Sequence, residues 1–87
     1  MAHFVYFIQS EVDGTFYVGS SHDLLLRLQH HNDGWTKSTK GKRPWKLIYT
    51  EEYAAKSEAL KRERYIKRMK SRKFIENLIG HAEGRPD

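Results

Sequence analysis

FVYFIQS-EVDG-TFYVGSSHDLLLRLQHH, residues 4–31, is the stretch whose reading decides the fold. Phe4-Val5-Tyr6-Phe7-Ile8 is a continuous apolar run rich in aromatic and β-branched residues, the composition of a strand buried on both faces. Asp13-Gly14 is a two-residue hairpin signal, and Thr15-Phe16-Tyr17-Val18 follows it as the returning strand. With Asp13 and Gly14 in the turn, Val12 faces Thr15, and opposed residues have numbers that add to 27. Alternation then puts Tyr6, Ile8 and Ser10 on one face with Tyr17, Gly19 and Ser21. A slip of one residue would separate the two phenols.

A helix follows directly. Asp23 can cap its start by accepting a hydrogen bond from the amides beyond it. Leu24, Leu25 and Leu28 form an apolar stripe, while Arg27 and His31, four apart, occupy one face. A guanidinium beside two phenols, with Gly19 leaving room for another backbone, has the composition of an anion site. An arginine on the solvated face of an ordinary amphipathic helix is the other reading, and helix spacing alone favours it.

The chain of 87 residues has room for one domain with a modest core. Hydrophobic residues at 38% and aromatics at 13% are too abundant for a disordered chain. The absence of cysteine excludes disulfides and thiolate chemistry. No apolar run approaches a membrane span, and the amino terminus lacks a signal-peptide pattern, so a soluble cytoplasmic protein is expected. A net charge of +5 and a pI near 9.6 imply attraction to polyanions, and nucleic acid fits better than acidic lipid because no basic helix has a wholly apolar opposite face.

Residues 32–43 read as a polar loop whose cations, Lys37, Lys40, Lys42 and Arg43, are placed to meet a phosphate backbone. Trp35 within it either stacks on a base or packs back onto the core. Pro44 ends the loop, and residues 45–50 read as a third strand. A second helix spans residues 56–70 and carries Lys61, Arg62, Arg64, Lys67, Arg68 and Lys70. Glu63 lies three residues from both Leu60 and Ile66, on the inward stripe, where a carboxylate must be ion-paired, hydrogen-bonded or metal-bound. Residues 73–79 form a closing helix with Gly80 as its stop, and 81–87 read as a flexible C-terminal tail. The expected fold is α+β and sandwich-like: a small three-stranded antiparallel sheet flanked by about three helices, in the order β-β-α-β-α-α.

Zinc is not expected. His30 and His31 diverge by about 100° on their helix, and His3, His22 and His81 lack ligand spacing. Neither a glycine-rich phosphate loop nor a serine nucleophile elbow is present.

Val5-Tyr6 and Tyr17-Val18-Gly19, with ten residues between the tyrosines, are followed by Ser-x-x-Asp-Leu-x-x-Arg-Leu-x-x-His. Further on come Arg-Pro-Trp-x-Leu-Ile-Tyr and Glu-Ala-Leu-x-x-Glu-x-x-Ile-Lys. In this order the motifs resemble the GIY-YIG nuclease superfamily, in its small, free-standing single-domain branch, over residues 4–79 and thus a nuclease-like domain at 1–80. One departure is Phe4, which stands where the name-giving motif has its first glycine. A late asparagine used by some members has no motif match here, Asn77 being the one candidate.

The resemblance implies a metal-dependent endonuclease acting on DNA, single-stranded or duplex. Its catalytic residues would be Tyr6, Tyr17, Arg27, His31 and Glu63. Glu63 would hold one Mg²⁺ or Mn²⁺, and Arg27 would neutralise charge on the scissile phosphate. The first tyrosine is the favoured base, which requires a neighbouring cation to lower a phenol pKa from about 10. His31 would support a phosphate or the water network, and Gly19, Trp35, Lys37, Lys40, Lys42 and Arg43 would meet the nucleic acid. A monomer without a small-molecule cofactor or a membrane partner is expected, in a pathway such as DNA repair or recombination. Two other readings remain open: a non-catalytic nucleic-acid-binding module that keeps the nuclease fold, and an accessory factor of a larger assembly.

Overall fold

The structure, a computed structural model, describes residues 2–82. Its elements are β1 (His3–Ser10), β2 (Phe16–Ser21), α1 (Leu24–Asp33), α2 (Lys37–Lys40), β3 (Trp45–Tyr53), α3 (Lys56–Met69) and α4 (Arg72–Ala82). The strands form one antiparallel sheet in the order β2-β1-β3. The fold is α+β as expected, with one more helix, because the single turn α2 interrupts the segment read as a loop.

The central position of β1 explains its unbroken apolar run. Val5, Phe7 and Ile8 are fully buried and Tyr6 nearly so, which only a strand covered on both faces requires. Val5 and Phe7 pack with Val18, Ala59 and Ile66 beneath α3 and α4. Tyr6 and Ile8 pack on the opposite face with Trp45, Tyr17, Leu24 and Leu28 beneath α1. Each large apolar side chain fully buried in these layers contributes about 1.5–3 kcal/mol. A bulge between Phe7 and Ile8 changes the β1–β3 register, so that Tyr49 faces Phe7 while Leu47 faces Ile8. Ile48 and Tyr49 consequently both join the α3 side, and Leu47 and Trp45 the α1 side.

The hairpin differs from the expected one. Tyr6 pairs with Gly19 and Ile8 with Tyr17, so opposed residues add to 25 and the register is shifted by two. Ser10 and Thr15 close the loop through an N–H···O bond of 2.8 Å, which leaves four residues in the turn. Gly14 takes the left-handed conformation (φ 77°) at the last loop position, and Ser10 Oγ accepts from the Val12 amide inside the turn. An even shift preserves alternation, so Tyr6, Tyr17 and Gly19 still share a face.

Asp23 caps α1 as expected, its carboxylate accepting from the Leu26 amide at 3.1 Å. Leu24 and Leu28 turn inward, but Leu25 is 78% exposed and does not belong to the stripe. Gly34 in the left-handed region ends α1 two residues later than the loop was expected to begin. Strand β3 extends three residues beyond its expected end, to Tyr53. Gly80 is no stop, because α4 continues through it to Ala82. The remainder of the expected tail, 83–87, lies outside the described residues.

Candidate active site

Tyr6 projects from the centre of the sheet toward α1. Gly19, opposite it on β2, leaves the space its ring needs: a Cβ there would come within 2.6 Å of Tyr6 Cζ. That space, expected to admit a substrate backbone, is filled from within by the phenol. The Tyr6 hydroxyl lies 2.9 Å from His31 Nε2, and Arg27 Nε donates to it at 3.3 Å. Helical spacing of four brings Arg27 and His31 to the same oxygen from successive turns of α1.

The direction of the proton chain follows from the donor inventory. Arg27 can only donate, so the phenol proton has one acceptor, the His31 Nε2 lone pair. His31 therefore carries its proton on Nδ1 and donates it to Thr39 Oγ1, 2.9 Å away. Thr39 donates in turn to the Thr36 carbonyl at 3.2 Å. Every polar atom in this buried chain is satisfied.

Burial decides the protonation states. It pushes the Tyr6 phenol up to about 12, against the pull of the Arg27 hydrogen bond and charge. The expectation that a neighbouring cation would bring this phenol down is thus not met, since desolvation outweighs the guanidinium. Burial, with Arg27 and His30 close by, lowers His31 to about 4 and keeps it neutral. Fully buried and hydrogen-bonded through both nitrogens, His31 is not placed to touch a phosphate. Arg27 is held charged, chiefly by its hydrogen bond to Tyr6, and both phenols add to that field.

Tyr17 stands beside this chain, its ring edge-on to His31 at 4.9 Å and less buried than Tyr6. Glu63 approaches from the other layer. Ser20, paired with Val5, lies on the α3 face of β2, and Glu63 meets it there. Ser20 on β2 donates to Glu63 Oε1 at 2.7 Å, and Lys67 pairs with Oε2 at 2.7 Å. Lys67 Nζ also lies 5.8 Å from the Tyr17 ring centre, and the Glu63 charge acts on the Tyr6 phenol. The phenols and Arg27 thus lie on the α1 face and Glu63 on the α3 face, linked across β2 by the approach of Lys67 to Tyr17 and by the Glu63 charge felt at Tyr6.

A family model of the GIY-YIG catalytic domain matches residues 2–77. The chain belongs to the GIY-YIG family. This GIY-YIG domain is 48% identical, over 76% of its length and 80% of theirs, to UPF0213 proteins of Staphylococcus aureus strains Mu3 and Mu50. It also resembles the solution NMR structure of a UPF0213 protein from Bacillus halodurans. That likeness has a TM-score of 0.62 and 33% identity, covering 97% of this chain and 88% of the other. The family is one of nuclease-type catalytic domains, and the match takes in every residue of the cluster just described.

The expected nucleic-acid contacts lie beyond α1. Trp35 is 70% exposed, with one ring face stacked on His30 at 3.9 Å. Packing onto the core is thereby excluded, and the opposite ring face stays open. Lys37 and Lys40 project from α2 as exposed cations. Lys42 is tied to Asp13 at 3.3 Å and to Thr15 Oγ1 at 3.2 Å, and Arg43 donates back to the Lys40 carbonyl.

Thr39 is the site residue that sequence reading missed. Nothing in a Lys-Ser-Thr-Lys segment signals that one hydroxyl turns inward to a histidine eight residues earlier. The Glu51 cluster was also missed: this carboxylate takes both phenol protons of Tyr49 and Tyr53 and a two-pronged Arg62 contact, binding β3 to α3. His3 and His22, far apart in sequence, come within 6.4 Å. Among the described residues, however, no three histidine or acidic side chains converge as metal ligands.

No helix of the described residues is long and apolar enough to cross a membrane.

Proposed function

We propose that this protein is a divalent-metal-dependent endonuclease that hydrolyses phosphodiester bonds of DNA, single-stranded or duplex. The observation that carries this reading is the Arg27–Tyr6 contact at 3.3 Å inside the electrostatic reach of Glu63. A fixed guanidinium, phenols and an acidic side chain whose charge is felt at Tyr6 are the components an in-line phosphoryl displacement needs.

The donor set suits a hard cation. Glu63 and the adjoining Ser20 hydroxyl supply oxygen, and one carboxylate is enough for an ion such as Mg²⁺ that keeps most of its water. Lys67, half exposed on the same carboxylate, must yield its place. When bound, the ion would polarise the phosphate and steady the leaving oxygen. Arg27 neutralises charge growing on the phosphorus oxygens.

A standing phenolate at Tyr6 is not available at neutral pH, given where burial sets it. The hydrogen bonds fix the phenol in place instead: His31 Nε2 accepts from it and Arg27 donates to its oxygen. Thr39 holds the His31 tautomer, and Tyr17 orders the attacking water from the more open side. Lys37, Lys40 and the free face of Trp35 hold the strand.

A second reading has an observation of its own: Glu63 is already satisfied by Ser20 and Lys67, as in a purely structural ion pair. On that reading the protein binds nucleic acid without cutting it. Short single- and double-stranded DNA incubated with Mg²⁺, Mn²⁺ or chelator separates the two. Cutting that needs the metal, and that Glu63→Ala abolishes while binding persists, supports the nuclease. A wild type that binds under every condition and never cuts leaves the binding module standing.

A further inference from the structure

On the flank of α3 turned away from Glu63, a concavity of about 640 Å³ opens between the end of β3 and the helix. Tyr53, Lys61, Arg62, Tyr65 and Arg68 line it. Arg62 already has its partner in Glu51, and its guanidinium carbon lies 5.6 Å from the Tyr65 ring centre. Tyr65 is 41% exposed and packs edge-on against Phe74, which fixes its plane. Lys61 and Arg68 are exposed, and neither forms an ion pair among the described residues. Glu58 also borders the concavity, but its carboxylate accepts from the Ala55 amide at the helix start.

An oriented aromatic ring flanked by unpaired cations is what a stacked base with phosphates on either side requires. We propose that this α3 flank is a second single-strand polynucleotide contact, with one base stacked on Tyr65 and the neighbouring phosphates on Lys61 and Arg68. By helical spacing the exposed Arg64 falls between Glu63 and Arg68, on the way from the Glu63 side of α3 to this surface. The surface would hold the strand beyond the cut, giving an isolated domain a grip on unpaired substrate that the catalytic edge alone does not provide. This inference rests on the reading of the protein as one that handles polynucleotides.

The test is a titration of the wild-type protein with an oligothymidylate in chelator, followed through backbone amide NMR shifts. The amides of residues 57–68 should move together with those around Trp35 and Lys37. Tyr65→Ala should weaken affinity roughly 5- to 150-fold, the range for losing one base–aromatic stack, while Tyr65→Phe binds as wild type. Lys61→Gln with Arg68→Gln should lower the slope of log affinity against log salt by about 1.4. Shifts confined to the Trp35 region, with the α3 amides silent, overturn the proposal even if Tyr65→Ala fails to fold. Because the titration is run without metal, it tests this surface even in a protein that never cuts.

Discussion

At the residue scale, the site is organised by what Tyr6 oxygen can exchange with its neighbours. Arg27 gives it a hydrogen bond and a charge, and His31 Nε2 accepts the hydrogen bond it donates. Arg27→Ala removes charge neutralisation from the phosphate and should lower the cutting rate about 10²- to 10³-fold, read in a single-turnover oligonucleotide assay. Cutting at the wild-type rate would remove Arg27 from the chemistry. Gly19 is bound to the same side chain by space alone. Gly19→Ala places a methyl group into the Tyr6 ring and should cost about 1–3 kcal/mol, visible as a lower thermal midpoint. An unchanged midpoint would show that the phenol moves aside at no cost.

At the element scale, the hairpin, α1 and α2 act as one frame. The hairpin was readable to within two residues because Asp13-Gly14 marks a turn, but the dipeptide does not say how many residues the turn contains. The outcome depended only on parity, which a shift of two leaves intact. Lys42 ties the segment after α2 back to the hairpin, whereas Lys37 and Lys40 point to solvent. Lys37→Gln with Lys40→Gln should therefore flatten the salt dependence of DNA affinity by about 0.7 per phosphate contact on single strands. Lys42→Gln should loosen the loop more than it alters that slope. Equal slopes in wild type and the double variant would mean that α2 does not meet the backbone.

At the scale of the whole molecule, a buried neutral histidine links the site to global stability. His31 titrates near 4 in the folded protein against an ordinary value of about 6.5, so between those values the unfolded chain binds more protons. Stability is therefore fully present above about pH 6.5 and falls as pH drops toward 4, by at most about 3 kcal/mol. Urea midpoints measured across that window should decline in wild type and decline less in His31→Gln. Parallel curves would mean that the imidazole is charged or solvated in the folded state.

The amino-acid sequence by itself determined the strand and helix order, the shared face of the two tyrosines, the α1 cap and the inward position of Glu63. These follow from periodicity and turn chemistry, which act over a few residues. Only the tertiary structure decided that Glu63 pairs with Ser20 and Lys67 beside β2, that Thr39 holds His31, and that burial keeps Tyr6 protonated. The reason is physical: edge position, desolvation and hydrogen-bond direction arise from chain segments brought together in space, and no local pattern encodes them.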